Sequence, residues 1–156
     1  MRRKDREITD ELQIDEIIRR CHCCRLGFND NGEVYIVPLN FGFVKHGGKR
    51  YFYFHGANAG RKYDLMLGGC DVGFELDCGY ELHTGQKPCD CTAAFSSVIG
   101  TGHAVIITDP EEKAAGLRAL MKQAAGMASC EFTPEELASV CIFRLEIEKI
   151  SCKVHL

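Results

Sequence analysis

The sequence predicts a mainly β protein with a few helices, organised as one six-stranded antiparallel barrel domain over residues 1–156. Strand patterns follow one another without the strand–helix alternation that is typical of a doubly wound parallel sheet. Residues 72–82 alternate between apolar and polar, which indicates a half-buried antiparallel strand. The long strand predicted over 93–108 has Gly100 and Gly102 at its middle, where a strand can bend around a small barrel.

Length and composition exclude several functional classes. A chain of 156 residues suffices for one domain with a real core. The net charge of -3, from 19 basic and 22 acidic residues, gives no electrostatic reason to expect nucleic acid. No apolar run approaches the roughly 18 residues that span a bilayer, and the N-terminus lacks the apolar core of a signal peptide. We therefore expect a cytoplasmic protein that binds neither nucleic acid nor membrane.

The N-terminal part of the chain has a helix pattern followed by a hairpin pattern. Thr9 is a candidate N-cap, and apolar residues recur at helical spacing from there to about Cys21. A short strand is predicted over 25–28. The turn Asn29–Gly32 follows it, because Asn and Gly tolerate positive φ.

A long apolar strand is predicted over 34–43. Both of its faces are largely apolar, so we expect it to be covered on both sides. Pro38 cannot donate to a ladder and therefore indicates an edge or a bulge, where backbone groups are free for a ligand. Asn40 either contacts that ligand or caps a local bulge. A turn at 46–48 leads into an aromatic strand over 51–55.

The next predicted helix begins with two positive charges at a position where the helix dipole disfavours them. Arg61 and Lys62 follow Gly60 in the predicted first turn, where the helix dipole disfavours each positive charge by roughly 0.3 to 1 kcal/mol. An anion would resolve the conflict, because helix N-termini offer free N–H groups that bind phosphate. The alternative is a glycine-rich turn followed by a solvated basic surface. His55 ends the preceding strand beside this loop, as either a functional or a hydrogen-bonded structural residue.

The C-terminal part of the chain has two clear helix starts. Asp109 with Pro110, and Thr133 with Pro134, each place an N-cap before a proline in the first helical turn. A strand is predicted over 140–150 and closes the chain. No G-x-G-x-x-G fingerprint after a strand, P-loop, G-x-S-x-G or H-E-x-x-H motif occurs.

Four strings of the sequence carry a family resemblance. They are YIVPLNFG at 35–42, FHGA at 54–57, GRK at 60–62 and SVIGTG at 97–102. Their order and spacing resemble the pyridoxamine 5'-phosphate oxidase-like FMN-binding split-barrel proteins, and within them the nitroimidazole reductase or resistance branch. The strings span nearly the whole chain.

The resemblance implies a homodimeric, six-stranded antiparallel split β-barrel that binds FMN. It implies that the backbone around Pro38 and Asn40 meets the polar edge of the flavin ring, and that Ser96, Ser97 and Val98 reach the flavin across the dimer interface. His55 is the candidate catalytic residue. The full set of implied cofactor-binding residues is Val37, Pro38, Leu39, Asn40, Phe41, Phe54, His55, Gly56, Gly60, Arg61, Lys62, Ser96, Ser97 and Val98.

The function implied by the resemblance is that of an FMN-dependent flavoprotein reductase. Electrons would come from NAD(P)H and pass to a small acceptor such as a 5-nitroimidazole or another nitroaromatic compound. No residue in the sequence has chemistry that requires a nitro group. The alternative is a split barrel that binds flavin or haem without turnover.

Ten cysteines allow a third interpretation. Cys78 and Cys141 lie on apolar faces of strand patterns, as small hydrophobic residues do, so we expect reduced thiols and no bound metal. A single C-x-x-C is a weak signal for zinc or an iron-sulfur cluster. The alternative is a metal-held structural module that uses Cys21, Cys24, Cys89 and Cys91.

Overall fold

The computed structural model describes residues 3–127 and 129–155. Its strands, in chain order, are β1 (Glu7–Ile8), β2 (Cys24–Asp30), β3 (Glu33–Leu39), β4 (Gly42–His46), β5 (Lys49–Gly56), β6 (Cys70–His83), β7 (Thr92–Ile107) and β8 (Cys141–His155). Its helices are α1 (Glu11–Arg20), α2 (Arg61–Leu65), α3 (Pro110–Ala125) and α4 (Pro134–Ser139), with 3-10 turns at Lys4–Arg6 and Pro88–Asp90.

All the strands belong to one antiparallel sheet in the order β3-β2-β6-β7-β8-β5-β4, with β1 paired to β8. The described residues form eight strands, so the prediction of six was wrong in number. The two additional strands have separate origins. β1 is only two residues long and has no periodicity to detect, and the strand predicted over 34–43 is divided into β3 and β4.

The short connection between β3 and β4 explains why the sheet curls into a barrel. These strands lie at opposite edges of the sheet, yet only Asn40 and Phe41 separate them in sequence. The sheet must therefore curl until its two edges come close, because the three Cα–Cα steps from Leu39 to Gly42 span at most about 11 Å. The edges are not paired with each other, so the barrel is split, as the sequence resemblance implied.

The outer face of β3 differs from the prediction. We expected both faces of this segment to be covered, but Val34 is 74% exposed and Ile36 is 61% exposed. The reason is that β3 is an edge strand and only its inner face reaches the core. Pro38 does lie on an edge strand, as predicted, and the break follows Leu39.

Helix α1 covers one end of the barrel. Its N-cap is Asp10 and not Thr9, because the Asp10 side chain accepts a hydrogen bond from the backbone N–H of Gln13. The apolar stripe of the helix is buried against the barrel. The aromatic residues at the centre of the core come from the strands and the β3–β4 link: Phe41, Phe52, Phe54, Phe74 and Phe143.

Helix α3 packs along β4 and β5 at unusually close range. Asp109 caps it by accepting a hydrogen bond from the backbone of Glu112, and Pro110 occupies the first turn, as predicted. A Cβ atom at Gly42 would overlap the backbone of Leu120, so glycine is required where β4 meets the helix. This contact holds α3 against the edge of the sheet that is opposite to β3.

Candidate functional site

The site begins at the N-terminus of α2. Gly60 has φ of 102°, a left-handed conformation that glycine adopts without strain, and Arg61 and Lys62 occupy the first turn as predicted. The helix has only five residues. The two basic side chains leave it in different directions and have different surroundings.

Arg61 is neutralised by the β2–β3 hairpin. Its guanidinium lies 2.8 Å from Asp30 and 2.9 Å from Glu33, and it packs 4.4 Å from the centre of the Tyr35 ring. Hydrogen bonds to Glu33 and Asp30 raise the pKa of Arg61. The protein's own carboxylates therefore offset the unfavourable position of Arg61 at a helix start. No local pattern in the sequence indicates these partners, which lie about 30 residues away.

Lys62 has no such partner. Its ammonium lies 5.1 Å from the centre of the Phe143 ring, and no carboxylate in the described ranges forms an ion pair with it. Burial lowers the pKa of Lys62, and only the Cys141 thiol acts in the opposite direction. A Cβ atom at Gly56 would come within 2.8 Å of Nζ, so the absence of a side chain there makes room for the ammonium. Lys62 is a half-buried cation beside the exposed end of β5.

The edge strand β3 supplies free backbone groups. Val37 and Leu39 are half-buried, whereas Pro38 and Asn40 are exposed. The segment pairs with β2 along one edge, and no described strand pairs with its other edge. Phe41 differs because its side chain lies in the core, 5.0 Å from the Phe52 ring, so only its backbone can face a ligand.

The end of β5 places His55 and Phe54 on opposite faces of the sheet. His55 is exposed, while Phe54 is fully buried and stacks on Phe143 at 4.9 Å between ring centres. Gly56 pairs with Cys141, which brings the end of the strand close to Lys62. Gly56 and Lys62 are thus neighbours on the face of β5 that carries Phe54, whereas the His55 side chain lies on the opposite face.

Ser96, Ser97 and Val98 lie far from Lys62 in the same chain. Ser97 pairs with Lys153 near one end of β7, whereas the Phe143 that Lys62 contacts pairs with Ile106 near the other end. Nine residues of strand separate these points, which corresponds to up to about 30 Å. The structure of one chain does not bring the two groups together. Val98 is fully buried, and Ser96 is buried with its hydroxyl accepting from Arg20.

The cysteines are spread over several elements. Cys21 and Cys24 are buried, while Cys89 and Cys91 lie exposed in the loop between β6 and β7. Within residues 3–127 and 129–155, no group of three or more His, Cys, Asp or Glu side chains is positioned to hold a metal ion.

The helices in the described ranges include none that is both long and apolar enough to cross a membrane.

Several solved structures share the fold of this chain. Among solved structures, a candidate 5-nitroimidazole antibiotic resistance protein from Bacteroides thetaiotaomicron superposes with a TM-score of 0.80 at 23% identity, over 95% of this chain and 86% of that chain. A flavocytochrome from Azotobacter vinelandii gives a TM-score of 0.79 at 22% identity, over 100% of this chain and 72% of that chain.

A third similar structure is the FAD and haem binding protein from Mycobacterium smegmatis. It has a TM-score of 0.80 at 17% identity, over 96% of this chain and 73% of that chain. At these identities the three structures establish the fold alone. A comparison with curated protein sequences finds no match.

The sequence itself matches a family model. The model for pyridoxamine 5'-phosphate oxidase matches residues 10–154, which is nearly the whole chain and includes every element from α1 to β8. This confirms the family that the sequence motifs indicated. The chain belongs to the pyridoxamine 5'-phosphate oxidase family of split-barrel proteins.

Proposed function

We propose that this protein is a homodimeric FMN-dependent reductase that takes electrons from NAD(P)H and passes them to a small acceptor of the nitroaromatic class. One observation of the structure supports FMN binding more than any other observation does. Lys62 is a half-buried cation without a carboxylate partner in the described ranges. A partly desolvated charge is costly unless an opposite charge compensates it, and a flavin phosphate supplies that charge.

The neighbouring groups fit a phosphate at this point. Space is open at Gly60, where a Cβ atom would have no neighbour within 4 Å, and no side chain caps the first turn of α2. Lys62 would hold the phosphate by charge. Arg61 already pairs with Asp30 and Glu33, so its role in the proposal is to fix the β2–β3 hairpin against α2.

The flavin ring would lie along β3. The unpaired edge of that strand offers backbone donors and acceptors at Val37, Pro38, Leu39, Asn40 and Phe41. His55 is exposed at the end of β5, next to Gly56 in sequence but on the opposite face of the strand, and in the proposal it donates a hydrogen bond or holds a proton. Bound flavin would supply hydride and single-electron transfer, and the protein would bind it, orient it and set the local charge.

The contribution of Ser96, Ser97 and Val98 requires a second copy of the chain. These residues lie at the opposite end of β7 from Phe143 and Lys62. In a homodimer they would complete the flavin site of the partner copy. The candidate resistance protein from Bacteroides thetaiotaomicron is the basis for proposing a nitroimidazole-like acceptor.

A spectrum of the freshly purified protein tests the cofactor. We expect flavin absorbance, bleaching by NADH or NADPH, and reoxidation by a 5-nitroimidazole. A protein with flavin absorbance that NAD(P)H does not bleach is instead a binding protein. The Azotobacter and Mycobacterium structures favour a haem or flavin carrier as this second candidate, and a Soret band would identify haem. A colourless protein that does not take up added FMN would contradict both.

The phosphate site is tested by substitution of Lys62. Lys62→Ala should weaken FMN binding by about tenfold to a hundredfold, which corresponds to the loss of a hydrogen bond to a charged group. Lys149→Ala is the matched control, because Lys149 is an exposed lysine on β8 and should leave FMN affinity unchanged. The affinity is measured by quenching of FMN fluorescence.

Combining Arg61→Ala with Lys62→Ala should release the flavin altogether while circular dichroism shows the fold intact. If the double variant keeps FMN at wild-type stoichiometry, the phosphate does not bind at the start of α2. If the Lys149→Ala control also loses flavin, the effect of Lys62→Ala is nonspecific.

A further inference from the structure

A groove lies where the C-terminal ends of α1 and α3 meet the edge strand β4. Its volume is about 460 Å³, and its walls include Arg19, Phe43, Lys45, Lys122 and Gln123. Ligand pockets of proteins commonly have volumes of this size. None of the residues proposed to bind FMN lines the groove, so it is available to another ligand.

The charges that line the groove are positive. Among the described residues, three of its lining side chains are cations and none is a carboxylate. Lys45 is neutralised, because its ammonium lies 2.9 Å from Glu11 and 3.1 Å from Asp15. Within residues 3–127 and 129–155, neither Arg19 nor Lys122 forms an ion pair. The groove therefore carries two positive charges without a counterion in a chain whose net charge is -3.

The helix ends do not use these two cations. Basic side chains in the last turn of a helix often bond its terminal carbonyl groups. At the end of α1, the carbonyls of Ile18, Arg19 and Cys21 accept hydrogen bonds from the Gln123 amide instead, at 3.2, 2.9 and 3.1 Å. At the end of α3, the backbone N–H of residue 126 donates to the carbonyl of Lys122. The side-chain donors of Arg19 and Lys122 therefore remain available to a ligand.

Two contacts hold the walls of the groove in place. The hydrogen bonds of Gln123 join the end of α1 to the end of α3. The guanidinium of Arg19 packs 5.2 Å from the centre of the Phe43 ring on β4. A side chain that is already held loses less freedom when a ligand binds. A guanidinium also matches a phosphate group through two parallel hydrogen bonds.

The groove continues the segment that the proposed flavin ring follows. That segment ends at Phe41, and Phe43 begins the groove two residues later, at most about 7 Å further along the chain. No described strand pairs with the outer edge of β4, so its backbone groups are free as well. A molecule with one end on the flavin can therefore extend its other end into the groove. NAD(P)H has this form, with nicotinamide at one end and adenosine at the other.

We propose that the groove binds the 2'-phosphate of NADPH and thereby selects NADPH over NADH as the electron donor. This inference rests on the proposed reductase function and decides between its two donors. The 2'-phosphate is the one group that NADPH has and NADH lacks, and a phosphate monoester carries close to two negative charges at neutral pH. Arg19 would bind it through two hydrogen bonds, and Lys122 would add a second positive charge. Arginine has the same role in dinucleotide-binding proteins that accept NADP.

Kinetics of flavin reduction test the selection of the donor. In the wild type, kcat/KM should be at least about tenfold higher for NADPH than for NADH. Arg19→Gln and Lys122→Gln should each raise the KM for NADPH about tenfold and leave kcat and the KM for NADH unchanged, because only the contact with the 2'-phosphate is lost. Arg19→Lys should keep part of the preference, since it keeps the charge without the planar guanidinium. Lys149→Gln is the control, because Lys149 is exposed on β8 outside the groove and should change neither KM.

Calorimetry tests the groove without turnover. The FMN-saturated protein should bind adenosine 2',5'-bisphosphate at least about tenfold more tightly than adenosine 5'-monophosphate, and Arg19→Gln should remove the difference. Saturation with FMN keeps the probe away from the phosphate site proposed at Lys62. Inorganic phosphate should bind more weakly than the bisphosphate. If it binds equally well, the groove is a general anion site and the assignment to NADPH is wrong.

The groove and the reductase activity fail in different experiments. If NADH bleaches the flavin as efficiently as NADPH, or if Arg19→Gln keeps the preference for NADPH, the groove does not select the donor and the reductase proposal stands. If neither nucleotide bleaches the flavin, the reductase proposal fails. Binding of the bisphosphate that depends on Arg19 and Lys122 would then still support the groove as a nucleotide site, and its absence would overturn that site. Thermal melting of each variant confirms that it is folded.

Discussion

Asp15 and Arg50 form an ion pair inside the protein. Asp15 is 2% exposed and Arg50 is 8% exposed, and Oδ1 lies 2.6 Å from Nε. The other carboxylate oxygen of Asp15 is 3.1 Å from the ammonium of Lys45, and Arg50 also donates to the backbone carbonyl of Glu11. These contacts fix α1 to β4 and β5. Each buried charge depends on the other, since removal of one leaves its partner uncompensated.

Asp15→Ala should therefore lower the free energy of unfolding by about 3 to 5 kcal/mol. Glu16→Ala is the control, because Glu16 is the next residue of α1 and is exposed, so its loss should change stability by no more than about 0.5 kcal/mol. Urea denaturation followed by circular dichroism measures both. A loss below about 1 kcal/mol for Asp15→Ala would mean that Arg50 finds other compensation.

Lys62 predicts a pH dependence of stability in the flavin-free protein. Burial lowers its pKa below the ordinary value of 10.5, so the folded protein binds this proton more weakly than the unfolded chain does. The contribution of Lys62 to stability therefore rises with pH, from its lowered folded pKa up to about 10.5. Below that range the charged, partly desolvated ammonium is destabilising.

Lys62→Met should accordingly stabilise the flavin-free protein at neutral pH, by no more than about 1 kcal/mol because the ammonium is only half-buried. The difference from wild type should shrink toward pH 10.5, which thermal melts at several pH values would reveal. The same substitution should weaken FMN binding. If the difference in stability between Lys62→Met and the wild type is constant across the pH range, titration of Lys62 is not its cause.

At the scale of an element, β7 shows how one glycine shapes a strand. The register of β7 on β8 shifts between Thr101 and Gly102, and the backbones approach closely there, as the glycines in the sequence suggested. A Cβ atom at Gly102 would overlap the backbone carbonyl oxygen of Glu146. The overlap involves backbone on both sides, so no side-chain rotation relieves it.

Gly102→Ala should destabilise the protein by about 3 kcal/mol or more through overpacking. Gly27→Ala on β2 is the matched control, because a Cβ atom there would meet Gly73 at an ordinary 3.8 Å. Its effect should stay within about 0.5 kcal/mol. Thermal unfolding of the two variants compares them directly, and an equal loss of stability in both would attribute the effect to glycine replacement in general.

At the scale of the whole molecule, the outer face of the sheet carries exposed apolar residues beside the ion pairs of Arg25 with Glu75 and Asp77. Ile36, Gly27 and Gly73 pair in a row across β3, β2 and β6, and they line a shallow groove of about 290 Å³. Ile36 is 61% exposed, and Ile99 on β7 is 52% exposed. In the proposed homodimer this face would be covered by a second copy of the chain.

Ile36→Glu should therefore convert the proposed dimer into a monomer and remove bound FMN, since the serines of the partner copy would no longer reach the flavin. Leu12→Glu is the control, because Leu12 is 72% exposed on α1 and lies away from this face. Light scattering gives the mass of each variant, and absorbance gives its flavin content. A wild type that is monomeric and still holds flavin would contradict this arrangement.

Local patterns in the sequence determined most elements of this protein. The hairpin turn at Asn31 and Gly32, the caps at Asp109 and Thr133 and the glycine before Arg61 depend on φ preferences and hydrogen bonds between near neighbours, which are present in any short segment. The order of the family motifs likewise needed no coordinates.

Only the tertiary structure decided what surrounds each functional side chain. The fold divides 34–43 into two edge strands and leaves Lys62 without an ion-pair partner in the described ranges. It also brings Arg61 to Asp30 and Arg20 to Cys78, although these residues are far apart in the sequence. Such contacts depend on how the sheet curls and on which strands become its edges. Those features arise from packing of the whole chain, and no local periodicity encodes them.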